Sequence, residues 1–281
     1  MNIQRISAFS LGGEGGNPAG VVLLSDAVGD ADMARVAAEV GYSETAFAVA
    51  QDETSKTWRV RYFAPKSEVP FCGHATIALG AELGRQFGAG TYTLTLNEAE
   101  ISVQAEETPD GMMATLASPP TRSRPLSDIE LHDVMSLFGL NSEELDLRIP
   151  PAHIHAGANH AVLALSERSR LASMDYALDA GRTIMRKLDL VTVMLVYCRD
   201  SQVFDARNAF ASGGVLEDPA TGAAAAAFAG YLRDINWPHG GSFTIRQGED
   251  MGCPSLIKVS LSDIKGTPVQ VSGLTREIVQ P

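Results

Sequence analysis

The sequence DPATG at residues 218–222 leads directly into the run AAAAAFA at residues 223–229. Asp218 is a favourable N-cap residue, and Pro219 suits the first helical position because its missing N–H would have no partner there. The alanines leave the helix almost without side chains, so other elements can pack against every side of it, as around a buried helix. We therefore predict a central helix whose positive N-terminal end faces a small anion.

A second stretch of the same kind occurs earlier. CGHAT, which begins at Cys72, leads into the small and apolar run IALGAEL. Arg61 precedes Cys72 by the same interval that separates Arg207 from Asp218. This spacing predicts two related halves, each with a helix start, and a binding cleft between them.

The composition is that of a globular protein, with 281 residues, 45% hydrophobic and 20% charged. The length allows one large domain or two of ordinary size. The formal net charge of -12 argues against a nucleic-acid backbone or an anionic membrane as the partner. A small acidic metabolite remains compatible with a local basic patch.

Three cysteines, Cys72, Cys198 and Cys253, cannot all pair, and their spacing is not that of a zinc motif. This usage indicates a reducing compartment. The N-terminal residues show no long apolar segment of a signal peptide, and no stretch approaches the roughly 18 apolar residues of a membrane span. We therefore expect an intracellular, cytoplasmic protein.

Glu44 lies between a predicted helix end and the apolar strand that follows it. A carboxyl group beside apolar surface has a raised pKa, which is what a general acid/base needs near neutral pH. The alternative interpretation is an exposed loop acid without a role. The spacing leaves both open.

Two other patterns are ambiguous. His153, His155 and His160 suggest a metal site, but no carboxylate completes it, so surface or packing roles are favoured and no metal is expected. The glycine-rich segment 11–16 lacks the GxGxxG and Walker patterns of phosphate loops, so it is predicted to be a turn.

The remaining patterns predict more strands than helices. Alternating segments at 92–96, 101–105 and 112–117 are typical of an antiparallel meander. SDIE at 127–130 is a capping box that predicts a helix start.

The pattern breaks at Ser118, which two prolines follow, and we place the domain boundary there. The N-terminal half is then 1–118, with Glu44 and the Cys72 helix. The C-terminal half is 119–267, with the Asp218 helix. A last strand at about 268–281 can return to the first half.

Taken together, the motifs resemble those of the PhzF-like phenazine biosynthesis family, within the diaminopimelate epimerase-like fold. The matching segments are GNPAG (16–20), SETAF (43–47), RYFAP (61–65), CGHAT (72–76), EDPATG (217–222) and QG, MG and PS within 247–255. Each is weak alone, but six in the right order over nearly the whole chain are specific.

The resemblance implies an α+β fold of two pseudo-symmetric domains, each a mostly antiparallel, barrel-like sheet around a central helix. It also implies a site in the interdomain cleft, a homodimer and no cofactor. The phenazine enzyme is an isomerase of trans-2,3-dihydro-3-hydroxyanthranilate that moves a proton by acid/base chemistry. Its catalytic glutamate falls on Glu44, and its helper residues fall on His74 and Asp218.

We therefore expect a cofactor-independent isomerase of a small carboxylated metabolite, with Glu44 as the acid/base. Backbone N–H groups at the two helix starts are expected to hold the substrate carboxylate. The expected substrate-binding residues are Asn17, Cys72, Gly73, Ala220, Thr221, Gly222 and Ala223.

Two alternatives stay open: an amino-acid epimerase or racemase with a Glu44–Cys72 or Glu44–Asp218 pair, and a non-catalytic ligand-binding protein. Racemases of this fold use two opposed cysteines, but Asp218 stands where the second would be. The family usually has serine where this chain has Ala223, and commonly has arginine where it has Cys253. Both departures leave the substrate open.

Overall fold

The computed structural model describes residues 1–52, 54, 56–97 and 99–279. The chain divides into two compact units, the first comprising Met1–Ala117 with Ser272–Pro281 and the second Ser118–Val271. Residues 280 and 281 of the predicted last strand lie outside the described residues.

The secondary structure is dominated by strands. In chain order these are β1 (Gln4–Ala8), β2 (Asn17–Leu24), β3 (Thr45–Ala50), β4 (Thr57–Ala64), β5 (Ser67–Val69), β6 (Gly90–Thr95), β7 (Glu100–Thr108), β8 (Gly111–Ala117), β9 (Arg122–Pro125), β10 (Ala152–His155), β11 (Asn159–Leu165), β12 (Thr192–Asp200), β13 (Val203–Ala209), β14 (Glu217–Asp218), β15 (Ser242–Gln247), β16 (Ser255–Ser260) and β17 (Gln270–Glu277). The α-helices are α1 (Asp30–Val40), α2 (Gly73–Phe87), α3 (Asp128–Leu137), α4 (Arg168–Ala172), α5 (Leu178–Lys187) and α6 (Gly222–Asp234).

Eight of the described strands close into a barrel in the first unit. The order is β1, β2, β3, β4, β6, β7, β8, β17 and back to β1. The pairs β2–β3 and β4–β6 are parallel, whereas β6, β7 and β8 form the predicted antiparallel meander. The predicted α+β class with a mostly antiparallel, barrel-like sheet is thus confirmed.

Helix α2 is the central helix of this barrel. It contacts β1, β2, β3, β6, β7 and β8, and its residues from His74 to Gly84 are all buried. Glycine makes the close approach possible, since a Cβ added at Gly80 would lie 2.4 Å from Val103 Cγ2. A buried helix with so few side chains lets the barrel wall pack closely around it.

Helix α6 is the corresponding helix of the second unit. The sheet there runs in the order β9, β10, β11, β12, β13, β15, β16, and α6 packs against β9, β10, β11 and β16. Gly222 and all residues from Ala224 to Arg233 are buried. The alanine run therefore forms the central helix that the sequence predicts.

The predicted start of α6 was wrong. The helix begins at Gly222 with Thr221 as the N-cap, not with Asp218 as the N-cap and Pro219 as the first helical residue. The reason is strand pairing: Asp218 belongs to β14 and lies opposite Asn208 of β13, so its backbone is extended. Pro219 and Ala220 then connect this short strand to the helix.

The predicted duplication appears in one matching ion pair per unit. In the first unit, Arg61 Nε and Nη2 donate to the Glu68 carboxylate at 2.8 and 2.6 Å. In the second, Arg207 Nε and Nη2 donate to Glu217 at 3.0 and 2.5 Å. In both cases the arginine lies on a long strand, β4 or β13, and the glutamate on the short antiparallel strand beside it. Each bidentate pair ties a hairpin that leads towards a helix start.

The capping box at the start of α3 is also confirmed. The Ser127 side chain accepts from Glu130 N, and the Glu130 carboxylate accepts from Ser127 N at 2.7 Å. None of the helices among the described residues is both long enough and apolar enough to span a bilayer.

Gly80→Ala should lower the free energy of unfolding by about 1–2 kcal/mol. Overpacking against Val103 costs about 1–3 kcal/mol, and the better helix propensity of alanine returns about 1 kcal/mol at most. Urea unfolding measures the change. In the double variant Gly80→Ala/Val103→Ala the clash is gone, so the combined loss should be smaller than the sum of the two single losses. A strictly additive result would contradict this packing argument.

Candidate active site

Glu44 lies at the edge of the first unit's barrel, immediately before β3. The backbone N–H of Gly20 donates to the Glu44 carbonyl oxygen at 3.1 Å, which fixes the main chain at this point. The Glu44 side chain is 16% exposed. A largely buried carboxyl group that solvent can still reach is suited to proton transfer.

Four side chains from two separate segments meet here. His74 Nε2 lies 3.4 Å from Glu44 Oε2, and Cys72 Sγ lies 3.5 Å from the same oxygen. Cys72 Sγ is also 3.4 Å from His74 Nδ1, and Ser43 Oγ is 3.3 Å from His74 Nε2. The structure thus brings together three of the predicted site residues, Glu44, Cys72 and His74.

The start of helix α2 positions two of these side chains. Cys72 is the N-cap residue in an extended conformation, and no side chain caps the helix. The Thr76 hydroxyl donates to the Cys72 carbonyl at 2.7 Å and bonds Tyr62 Oη at 2.6 Å. Burial raises the pKa of Tyr62 well above its usual value, so the phenol stays neutral. This buried bond holds the first turn, and the N–H groups of Gly73 and His74 have no intrahelical acceptor.

Asn17 is the first residue of β2, where it is buried and pairs with Ala8 of β1. The glycine-rich segment before it is a turn, as predicted, since Leu11 and Glu14 exchange backbone hydrogen bonds. Asn17 remains a predicted substrate-binding residue.

A second cluster surrounds Asp218 in the second unit. Thr221 Oγ1 donates to Asp218 Oδ2 at 2.5 Å. Gln247 Nε2 donates to the Asp218 carbonyl at 2.7 Å and to Thr221 Oγ1 at 3.1 Å. Ala220 and Gly222 are buried, and Ala223 is half-buried in the first turn of α6. Thr221 therefore acts through its hydroxyl on Asp218 rather than as a cap of its own helix.

The hydrogen bonds continue from Gln247 into the core of the second unit. Asn208 Nδ2 donates to Gln247 Oε1 at 3.2 Å, and Thr192 Oγ1 donates to Asn208 Oδ1 at 3.1 Å. His160 Nδ1 lies 2.7 Å from Thr192 Oγ1 and is the donor, because the Thr192 proton points to Asn208. His160 Nε2 has no partner among the described residues. Burial lowers the pKa of His160 to about 3, so the ring is neutral.

Sequence reasoning missed this row of polar side chains. The sequence places Gln247 in a motif without assigning it a role, and it suggests His160 only as a metal ligand. Thr192 and Asn208 stand in apolar strands, and a polar residue in such a strand is the signal that could have found them.

His153 and His155 lie on β10, half-buried, and His155 Nδ1 bonds Asn159 Oδ1 at 2.7 Å. That the helix starts of the two units share one cleft stays a prediction.

The buried His160 ring should make the protein less stable as the pH is lowered. Its folded pKa of about 3 is below the unfolded value of about 6.5, so below pH 6.5 the unfolded chain binds a proton that the folded chain does not. Stability contributed by the neutral ring is thus lost as pH falls from 6.5 towards 3, by at most about 1.4 kcal/mol per pH unit.

His160→Asn should remove this part of the pH dependence, measured by urea unfolding between pH 4 and 7, roughly the window in which the ring titrates only in the unfolded chain. His132→Asn, on the exposed surface of α3, is the matched control and should keep the wild-type slope. Equal slopes in both variants would show that His160 does not cause the effect.

Comparison with known proteins places these clusters in context. A family model described as "Phenazine biosynthesis-like protein" matches residues 6–277. "Uncharacterized isomerase YddE" of Escherichia coli O157:H7 is 27% identical over 278 residues, which cover 96% of this chain and 93% of that protein. An "Uncharacterized isomerase" of Deinococcus radiodurans is 30% identical over 291 residues, covering 99% and 94%. The crystal structure of a Bacillus anthracis phenazine biosynthesis protein, PhzF family, has a TM-score of 0.86 at 19% identity, covering 99% and 96%, and shares the fold.

Proposed function

The chain belongs to the phenazine biosynthesis-like protein family, and on that basis we propose that it is an isomerase that works by proton transfer without a cofactor. Its substrate class is a small carboxylated metabolite with an acidic C–H bond. The observation that carries the proposal is the approach of the Glu44 carboxylate to His74 and Cys72, within 3.4–3.5 Å, at the start of a buried helix. The isomerase names of the relatives support the reaction class.

In the proposed reaction, Glu44 takes a proton from a carbon atom of the substrate and returns it to a different atom. The substrate carboxylate binds the N–H groups of Gly73 and His74, where the dipole of α2 favours an anion. His74 donates a hydrogen bond to the charge that develops as the proton leaves. General acid/base catalysis of this kind contributes about a hundred- to ten-thousandfold to the rate.

We also propose that the Asp218 cluster takes part by binding polar groups of the substrate. The support is the burial of Asp218 and its fixation from two directions, by Thr221 and by Gln247. A carboxylate held in this way accepts hydrogen bonds from a substrate hydroxyl or amine without first reorganising.

Glu44→Gln should reduce the exchange of substrate carbon-bound hydrogen in deuterated water by about a hundred- to ten-thousandfold, because the amide cannot accept the proton. The assay uses nuclear magnetic resonance on a panel of small carboxylates, including dihydro-hydroxyanthranilate. Glu14→Gln, at an exposed turn position, is the control and should exchange like the wild type. Full exchange by Glu44→Gln would exclude Glu44 as the base, and tight binding without exchange by the wild type would favour a ligand-binding protein.

Thr221→Val should lower kcat/KM by about tenfold to a hundredfold, since a hydrogen bond to a charged group contributes about 1.5–3 kcal/mol. Thr221→Ser keeps the hydroxyl that reaches Asp218 Oδ2 and should retain most of the activity. Steady-state kinetics on the substrate found in the exchange assay measures both. Equal losses in the two variants would mean that the methyl group, not the hydroxyl, is what matters.

One observation favours an epimerase as the second candidate: Cys72 Sγ, 3.5 Å from Glu44 Oε2, supplies a second group that can carry a proton. An epimerase brings deuterium to the α-carbon of the substrate and inverts it, whereas an isomerase brings it to a new position. A symmetric pair of thiols is disfavoured, because Asp218 stands where the second cysteine of such a pair would be.

A further inference from the structure

We propose that Gln247 and Gly248, which we call the clamp, set the position of the Asp218 carboxylate, so that Gln247 is a positioning residue of the enzyme. This role depends on the proposed function, because Asp218 is there assigned to the binding of polar groups of the substrate. The clamp is the first part of the QG, MG and PS motif within 247–255, for which the sequence alone indicates no chemistry.

The Gln247 side chain, which is 1% exposed, uses every hydrogen-bonding position of its amide. Nε2 donates to the Asp218 carbonyl oxygen at 2.7 Å and to Thr221 Oγ1 at 3.1 Å. Oε1 accepts from Thr221 N at 3.3 Å and from Asn208 Nδ2 at 3.2 Å. A primary amide has two N–H donors and a carbonyl oxygen with two lone pairs, so these bonds saturate it. Since a backbone carbonyl only accepts and a backbone N–H only donates, the amide has a single favourable orientation.

This amide joins the two ends of the connection between β14 and α6. It bonds the C=O of Asp218 and the N–H of Thr221, the two groups that bond each other in a closed four-residue turn. The Thr221 hydroxyl, which the same amide contacts, donates to Asp218 Oδ2 at 2.5 Å. The backbone of Asp218 and the hydroxyl that fixes its carboxylate therefore both depend on one side chain from β15.

Gly248 brings the backbone of the clamp against the same connection. Its φ of +77° lies in the left-handed region, and a Cβ added here would lie 2.8 Å from the Pro219 carbonyl oxygen and still closer to that of Cys253. A residue with a side chain would therefore be strained and would push the clamp away from Pro219. Side chain and backbone of the clamp thus hold the same short connection.

The first test reads the clamp without turnover. In Gln247→Met the Thr221 N–H loses its acceptor, so its exchange with deuterated water, followed by nuclear magnetic resonance, should be about tenfold faster than in the wild type. Gln202 provides the matched control, because its Nε2 also donates to two carbonyl oxygens, those of His239 and Ser242, each at 3.3 Å. Gln202→Met should leave the exchange of the Thr221 N–H unchanged.

The second test separates KM from kcat on the substrate found in the exchange assay. Gln247→Met should raise KM by about tenfold, because an Asp218 carboxylate without a fixed position must reorganise to bind the substrate. The same variant should change kcat by less than about threefold, since Glu44, which takes the proton, keeps its contacts in the first unit. A general loss of structure would lower kcat as well. Gln202→Met should keep the wild-type values.

Gln247→Glu adds a pH readout and is nearly isosteric, so it remains testable where the methionine variant fails to fold. The introduced carboxyl group donates one hydrogen bond when it is protonated and none when it is ionised. The ratio of its kcat/KM to that of the wild type at the same pH should therefore fall between about pH 5 and pH 9, the range in which buried carboxyl groups titrate. Gln202→Glu should show a constant ratio.

Unchanged exchange of the Thr221 N–H in Gln247→Met, with circular dichroism showing a folded variant, would overturn the clamp. Faster exchange with an unchanged KM, or a ratio for Gln247→Glu that does not vary with pH, would overturn its role in positioning Asp218. If the wild type turns over none of the carboxylates, the isomerase proposal fails, whereas the exchange of the Thr221 N–H still decides whether the clamp holds the connection.

Discussion

A helix that is buried on every side still has to begin somewhere, and its first N–H groups lack partners within the helix. In the first unit this point falls at Cys72 and Gly73, where no side chain caps α2. The barrel strands enclose the rest of the helix, so the polar requirement concentrates at one end. Glu44 reaches that end from the segment before β3. The site thus arises from the same constraint that organises the barrel.

The two units place different polar groups at the starts of their central helices. In both, a bidentate arginine–glutamate pair ties the hairpin before the helix. The residue at the N-cap is then Cys72 in one unit and Thr221 in the other. The thiol faces an imidazole and a carboxylate, whereas the hydroxyl donates to Asp218. The duplicated fold therefore carries an asymmetric pair of helix starts, which suits a reaction that moves a proton more than one that inverts a centre symmetrically.

The sequence predicted the α+β, barrel-like fold and both central helices, and its family resemblance named Glu44, Cys72 and His74, whose side chains lie close together in the structure. Small apolar runs identify both central helices because few other contexts tolerate a helix with such bare sides. The start of α6 was misplaced because Asp218 and Pro219 satisfy the local rules for a helix start, while the pairing of Asp218 with Asn208 is a long-range contact that local rules do not contain. The contacts of Gln247 were not predicted for the same reason, since they join segments that are distant in the sequence.

The polar row from His160 to Asp218 has a direction. From His160 through Thr192, Asn208, Gln247 and Thr221, each group donates to the next, and the last donor points at the carboxylate. Aligned hydrogen bonds polarise one another, so the row acts as a chain of dipoles whose positive end lies against Asp218. Side-chain amides hold their protons, so this chain conducts no proton. The row therefore stabilises a negative charge at Asp218 electrostatically, and it does not transfer a proton between Asp218 and the interior.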